Sequence, residues 1–441
     1  MDKTLTVGNP LKTIIRFAIP IYIGQLFQLA YTLIDTRIIG SALGKSSLAA
    51  VGSTTSLSDF LIEFLNGIIC GFGIIISKHI GAKDDKEVKK AIGQTVTLGV
   101  LISVLISCAC LLLLKPILKL LNVSEELMSE AVMYIGIIMI GLIAVTMFNI
   151  VTAILRAIGD SYTPLVFLII SNVINIGLDY LMVIPFKMGV RGAALATVIS
   201  QAFSAFACFF YIRKQYPQIR ISLRDLRIER NMFDQLFPQG MSMGFMISFV
   251  TLGSLALQTG INSLGTFVIV AHTAARKITM IFLIPFFALG TALATYCGQN
   301  TGAKQFDRVK QGVRGSIIAS GMWCVVVIAI VYIAAPTGVR LITASSDNDI
   351  VKNAVAYLRI NSLFYIFPAV ICSLRNSLQG MGDTKTPLVS SLIELIGKVI
   401  IAISLVPVIG YLGVIIAEPI VWTVMVFPLI YGYIKKTNKG I

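Results

Sequence analysis

Charge is scarce in this chain. Asp, Glu, Lys and Arg make up only 13% of its 441 residues, about half the share usual in a soluble domain. Histidine occurs only twice, and the seven cysteines (Cys70, Cys108, Cys110, Cys208, Cys297, Cys324 and Cys372) lie in apolar runs without metal-ligand spacing. A zinc site is therefore not expected, and the cysteines read as small buried hydrophobes. The single His272 within an apolar run has no nearby metal partner or nucleophile, so an enzyme is not expected and no cofactor is implied. What the chain has instead is apolar residues, 56% of the total with a mean hydropathy of +0.87. They come in runs of about 20 residues or more, the mark of a polytopic membrane protein. The net charge of +15 sits in short loops between these runs. That is a topology signal at an anionic lipid surface, which excludes a nucleic-acid partner.

Twelve spans are predicted, near residues 14–38, 46–77, 91–114, 127–154, 162–184, 190–212, 232–261, 266–296, 312–334, 350–376, 386–408 and 411–434. The first is long enough to cross a bilayer and has no small-residue cleavage site, so no cleavable signal peptide is expected. Of the 36 Lys and Arg, 24 fall on the N-terminal side of the membrane, 8 on the opposite side and 4 within spans. The bias predicts both termini in the cytoplasm of a multi-pass cell-membrane protein. The longest loop, Arg213 to Arg230, carries six basic residues interleaved with Ile219, Ile221, Leu223, Leu226 and Ile228, and it is expected to lie on the membrane surface.

An internal repeat sets the architecture. Gly81-Ala82-Lys83 recurs as Gly302-Ala303-Lys304, an offset of 221. Gly159-Asp160 with Thr163-Pro164 recurs as Gly382-Asp383 with Thr386-Pro387, an offset of 223, and Gly189 and Gly192 recur as Gly410 and Gly413. Six spans per copy make the two halves parallel repeats, an arrangement associated with transporters that work by alternating access. The fold class is thus all-α, with twelve transmembrane helices in two pseudo-symmetric six-helix bundles. The expected divisions are an N-terminal bundle at 1–212, a linker at 213–230 and a C-terminal bundle at 231–441. The repeated Gly-Asp-x-x-Thr-Pro loops have a local explanation: a left-handed glycine ends one helix and proline starts the next.

Polar residues inside the spans mark candidate sites. Asn172, Asn175 and Asp179 fall at i, i+3 and i+7 in the fifth span, on one helical face. An aspartate in hydrocarbon costs roughly 2.5 to 3.5 kcal/mol even on the lenient insertion scale, so it normally faces a bundle interior or a wet cavity. This stripe suggests a cation or proton site. Asp59 and Glu63 are i and i+4 in the second span and are expected either to line a substrate cavity or to hydrogen-bond within the bundle. Glu394 and Lys398, also i and i+4, should neutralise each other. Arg276, Lys277 and Arg359 remain without assigned partners, with Glu418 as one possibility; Arg276 is a candidate for the substrate cavity. Pro20, fifteen residues before Asp35 in the first span, makes either a static kink or a hinge.

These features together resemble the multidrug and toxic compound extrusion (MATE) family of cation-coupled efflux transporters. The resemblance rests on Asp35-Thr36 ending the first span, the Gly-Ala-Lys loops, RAIGDSYTP from Arg156, Asn175 to Asp179, and GVRGAALAT at Gly189 to Thr197. It covers essentially the whole chain. It implies export of organic cations or other amphipathic compounds against inward H+ or Na+. Matched residue by residue, it implies a cation site formed by Asp35, Asn175, Asp179 and Thr197, with Tyr134 nearby. The second acidic site that some members carry on spans 7 and 10 is absent. A two-carboxylate set with oxygen-only neighbours suits Na+ as a hard cation, and the same pair suits a proton. For Asn175 and Thr197 an ordinary interhelical hydrogen bond is the alternative. The resemblance also implies that Pro20 is a hinge answering to the aspartate site. The expected partners are a small organic substrate and the lipid bilayer, with a functional monomer. The competing function is a flippase for a lipid-linked saccharide of the same superfamily. A channel is disfavoured, since no pore-lining signature repeats.

Overall fold

The computed structural model describes residues 4–343 and 347–438, without the side chains of residues 43, 45, 46 and 48. The described residues are helical almost throughout. In chain order the helices longer than ten residues are α1 (Pro10–Ala42), α2 (Ala49–Gly81), α3 (Asp85–Leu120), α4 (Glu125–Ile140), α5 (Leu142–Ala157), α6 (Tyr162–Val183) and α7 (Val190–Gln215). They continue as α8 (Arg230–Asn262), α9 (Thr266–Gly302), α10 (Phe306–Thr343), α11 (Asn348–Leu363), α12 (Ile366–Gly380), α13 (Lys385–Ser404) and α14 (Tyr411–Asn438). Ten of these are long and apolar enough to cross a membrane, and the bent pairs α4–α5 and α11–α12 raise the number to twelve among the described residues. The predicted spans 4 and 10 are thus each broken. The bends are 41° and 54°, and the interruptions at Gly141 and Phe364 stand 223 residues apart, at the repeat offset.

Sequence chemistry accounts for the helix ends. Asp84 caps α3 by accepting from the Glu87 amide at 3.1 Å, satisfying one of the amides that lack an intrahelical partner. Gly159 and Gly382 adopt φ of 90° and 79°, a region open to glycine and strained for other residues. The aspartate that follows each glycine caps the next helix. Asp160 accepts from the Thr163 amide and hydroxyl at 3.0 and 2.9 Å, and Asp383 accepts from the Thr386 amide and hydroxyl at 3.0 and 2.7 Å. The repeated motif is a helix junction built twice.

The described chain divides into two compact units. Unit 1 contains Ile23–Gly244, and unit 2 contains Leu5–Tyr22 with Phe245–Ile441. This partition differs from the divisions expected at 212 and 231, because the first turns of α1 and of α8 each pack with the other half of the sequence. Ile14, Phe17, Ala18 and Ile21 join the unit 2 core with Tyr296, Val309 and Leu374. Met232 and Leu236 join the unit 1 core with Phe72, Val88 and Ile154. The changeovers at Tyr22 and Gly244 are 222 residues apart, so the exchange itself obeys the repeat.

Burial is inverted relative to a soluble domain at many mid-helix positions. Leu112, Val173, Phe206, Ile333 and Phe427 are each well exposed, as lipid-facing side chains should be. The loop from Arg213 to Arg230 packs on unit 1 rather than hanging free. Ile219 is buried in the core, Thr97 donates to the Leu226 carbonyl at 2.8 Å, and Lys90 binds Glu229 at 2.8 Å. Of its apolar residues, Leu223 and Ile228 are left exposed.

Candidate functional site

Helices α1, α4, α6 and α7 bring Asp35, Tyr134, Asn175, Asp179 and Thr197 together within unit 1. Ser171 ties α6 to α7 through a 3.3 Å hydrogen bond to the Ser200 carbonyl, and one turn further on the Asn175 amide donates to the Thr197 hydroxyl at 3.4 Å. Thr197 in turn donates to the Ala193 carbonyl at 3.2 Å. Asn175 therefore presents its carbonyl oxygen outward from this pair, and that oxygen is buried without a donor. Asp179 is fully buried, and no donor reaches either of its carboxylate oxygens. Asp35, partly buried on α1, approaches closely enough for a proton to bridge the two carboxyl groups.

Unit 1 thus holds a close pair of carboxylates and, one turn away, an amide carbonyl that no donor reaches. Buried acceptors in native proteins are almost always satisfied, and a like-charged pair out of water is costly. A proton or a hard cation would offset that cost, and the neighbouring oxygens of Thr197 and Tyr134 are of the kind either takes. Among the described residues no group of three or more His, Cys, Asp or Glu is placed to hold a metal ion, so any cation here rests on two carboxylates and neutral oxygens.

An apolar collar lies against the same site. Ile39, Val183, Val190 and Ala193 form a buried cluster with Val51, and Tyr134 packs on it. Ile39 and Val183 follow Asp35 and Asp179 by four residues, one helical turn, while Ala193 precedes Thr197 by four on the oppositely running α7. All three helices thus place apolar side chains on one end of the polar group, which excludes water from that end.

Tyr31 was not singled out from the sequence. It stands one turn before Asp35, within electrostatic reach of both aspartates and within hydrogen-bonding reach of Thr197. Its i, i+4 spacing to Asp35 was the available signal. Asn172 is buried beside the site with its amide nitrogen unpartnered. Asp59 and Glu63 are exposed on α2, Glu63 accepting from Asn66 at 3.4 Å. Pro20 lies in α1 two residues before the chain passes from unit 2 to unit 1.

Arg276 belongs to a different arrangement, in unit 2. It donates to Glu418 at 2.6 Å, and Tyr357 donates to the other oxygen of that carboxylate at 2.6 Å. His272 packs edge-on against Tyr357 and Tyr411. Lys398 donates to Glu394 at 2.9 Å and to Ser254 at 3.2 Å, as the i, i+4 spacing of the acid and base predicts for the first contact. Lys277 is exposed, and Arg359 donates to the Tyr332 carbonyl at 3.3 Å while lying over its ring.

The repeat register relates these residues to the site in unit 1. With the 223 offset of the Gly-Asp loops, Tyr134 corresponds to Tyr357, Asn175 to Lys398 and Asp179 to Ala402; with the 221 offset of the glycines opening α7 and α14, Thr197 corresponds to Glu418. Where unit 1 leaves acceptors without donors, unit 2 places the side-chain cations Lys398 and Arg276.

Comparison with known proteins agrees with this architecture. The MatE family model matches residues 20–181 and again 242–404, two matches whose starts and ends are displaced by 222 and 223. The chain is 30% identical over 390 residues to the probable multidrug resistance protein YpnP of Bacillus subtilis, covering 88% of this chain and 86% of that protein. It is 25% identical over 398 residues to the probable multidrug resistance protein NorM of Thermotoga maritima, covering 87% and 83%. Among solved structures, a MATE in the bent conformation superposes with a TM-score of 0.91 at 22% identity, over 98% of this chain and 97% of that one. An outward-facing multidrug resistance MATE family transporter gives 0.90 at 24% identity, over 99% and 98%. With two family matches at the repeat spacing and this fold beneath them, the chain belongs to the MATE family of multidrug efflux transporters.

Proposed function

We propose that the protein is a secondary antiporter that exports drugs or other amphipathic organic compounds in exchange for H+ or Na+, with Asp35 and Asp179 as the coupling carboxylates. The observation that carries this reading is Asp179, fully buried beside Asp35 with neither oxygen reached by a donor. Asn175 and Thr197 complete an oxygen-only set, and Tyr31 and Tyr134 border it. Occupancy by a cation removes the repulsion between the two carboxylates and lets the helices that carry them draw together; loss of the cation reverses this. Coupling requires that the two occupancies favour different arrangements of the protein. The division of α1 between units supplies a mechanical link: Asp35 moves with unit 1, whereas the residues up to Tyr22 pack in unit 2. Pro20, at that changeover, lacks the amide that would stiffen the helix there, and is the hinge.

The exposed acids Asp59 and Glu63 on α2 are the candidate contacts for a cationic substrate, together with Thr55 and Ser56 exposed on the same helix. Arg276, already paired with Glu418, is a weaker candidate for substrate contact than the sequence suggested. Both termini lie in the cytoplasm, the protein resides in the cell membrane, and it works as a monomer. Relatives named as multidrug resistance proteins favour drug export over a lipid-linked saccharide flippase. The test is drug susceptibility of cells expressing Asp35→Asn or Asp179→Asn at wild-type membrane levels. Each single variant is expected to lose the resistance the wild type confers; undiminished resistance from both removes these carboxylates from the coupling role.

A further inference from the structure

We propose that unit 2 binds a monovalent anion, a free halide or the carboxylate group of an organic ion, on the Nε–Nη2 edge of Arg375. The inference starts from charge. Arg276, Glu418, Lys398, Glu394 and Arg375 form one alternating array across α9, α14, α13 and α12, each member within electrostatic reach of the next. Glu418, Lys398, Glu394 and Arg375 are 4%, 3%, 6% and 9% exposed. Three cations face two carboxylates, leaving a formal charge of +1. No other acid of this unit is available to neutralise it: of the remaining acids after Phe245, Asp307 lies in the first turn of α10, Asp347 and Asp349 begin α11, and Asp383 caps α13.

The excess charge is at the Arg375 end. Glu418 is fully engaged, by Arg276 on one oxygen and Tyr357 on the other, both at 2.6 Å. Glu394 gives one oxygen to Lys398 at 2.9 Å. Its other oxygen is 3.5 Å from Arg375 Nη2 and makes no hydrogen bond with it, so both Nε and Nη2 of Arg375 are buried without an acceptor. These two nitrogens form a single edge of the guanidinium, two parallel N–H groups that match a carboxylate bidentately or converge on a spherical halide. A buried guanidinium edge left empty loses its hydration with nothing in return.

The repeat register agrees with an anion. At the positions of unit 2 that answer to Asn175, Asp179 and Thr197 stand Lys398, Ala402 and Glu418, so a cation replaces one donor-free acceptor and an apolar residue the other, and Gly253 leaves room for the Lys398 chain, whose Cδ would be 3.2 Å from a Cβ there. The unit 1 site has negative charge and acceptors to spare, and this one has positive charge and donors to spare. Ligands of opposite sign follow.

The experiment uses the full-length protein purified in detergent. Thermal unfolding is followed at constant pH, sodium concentration and ionic strength while chloride, bromide or acetate replaces a bulky sulfonate, and crystals grown in bromide are measured for anomalous scattering. A saturable halide-dependent rise in melting temperature, lost in Arg375→Gln and retained in Arg276→Lys, with bromide density at Arg375, supports a halide site. Saturable stabilisation by acetate with displacement of radiolabelled chloride assigns the edge to carboxylates. Glu394→Gln, which raises the formal charge of the array to +2, should tighten anion binding in either case. If Arg375→Gln does not fold, the wild-type anion titration and the bromide map still decide the matter. No saturable dependence on any of these anions and no bromide density near Arg375 would overturn the proposal.

Discussion

Replacing Asp179 by asparagine tests the physics of the coupling site apart from transport. The substitution is nearly isosteric. It removes the fully buried carboxylate of the pair, keeps an acceptor oxygen and adds an amide that can donate to the partly buried Asp35. Asp179 is fully buried with both oxygens unpartnered, so the ionised wild-type side chain carries a penalty of roughly 2.5 kcal/mol or more on the insertion scale. Without a coupling cation, therefore, Asp179→Asn should be more stable than the wild type by about 2 kcal/mol, a shift of more than tenfold in the unfolding equilibrium. Adding the cation should stabilise only the wild type, because ligand binding to the folded state raises stability through occupancy. Thermal unfolding in detergent, with and without sodium at two pH values, reads both effects. A variant less stable than the wild type, or one that keeps the wild type's cation dependence, would exclude an uncompensated buried charge at Asp179.

Other substitutions probe the frame around this site. Arg276→Ala strands Glu418 with Tyr357 as its remaining hydrogen-bond donor and should destabilise unit 2 by about 3 to 5 kcal/mol, with most of the loss recovered in the double variant Arg276→Ala, Glu418→Gln; denaturation of the purified variants measures this. Gly93→Ala would drive a Cβ into the Asp225 carbonyl oxygen. It should loosen the 213–230 segment at a cost of about 1 to 3 kcal/mol, visible as faster proteolysis at Arg224 and Arg227. Pro20→Ala restores a backbone donor at the changeover in α1 and should slow transport and shift its pH profile without loss of expression. Normal transport with an unchanged profile excludes the hinge.

Much of this was legible in the sequence, and what was not has a physical reason. Apolar periodicity and the three repeated motifs give the helices and their pairing into halves, because each depends on neighbours a few residues apart. The stripe of Asn172, Asn175 and Asp179 was readable for the same reason, and the matched motifs supplied Asp35, Thr197 and Tyr134. Tyr31 needed only the i, i+4 rule applied from Asp35. The exchange of the first turns of α1 and α8 was not readable, since hydrophobic spacing says which face is buried and not against what. Nor was the pairing of Arg276 with Glu418, 142 residues away. The breaks at Gly141 and Phe364 were hidden because both halves of each broken helix remain apolar.

In the proposed mechanism the carboxylate pair couples a cation gradient to export. Its most direct test is efflux of a fluorescent organic cation from proteoliposomes with sodium and proton gradients imposed separately, on the wild type, Asp35→Asn and Asp179→Asn. At least one of the two gradients is expected to drive wild-type transport, and neither should do so in either variant. Wild-type transport that needs no cation gradient, or gradient-driven transport that survives in both variants, would contradict it.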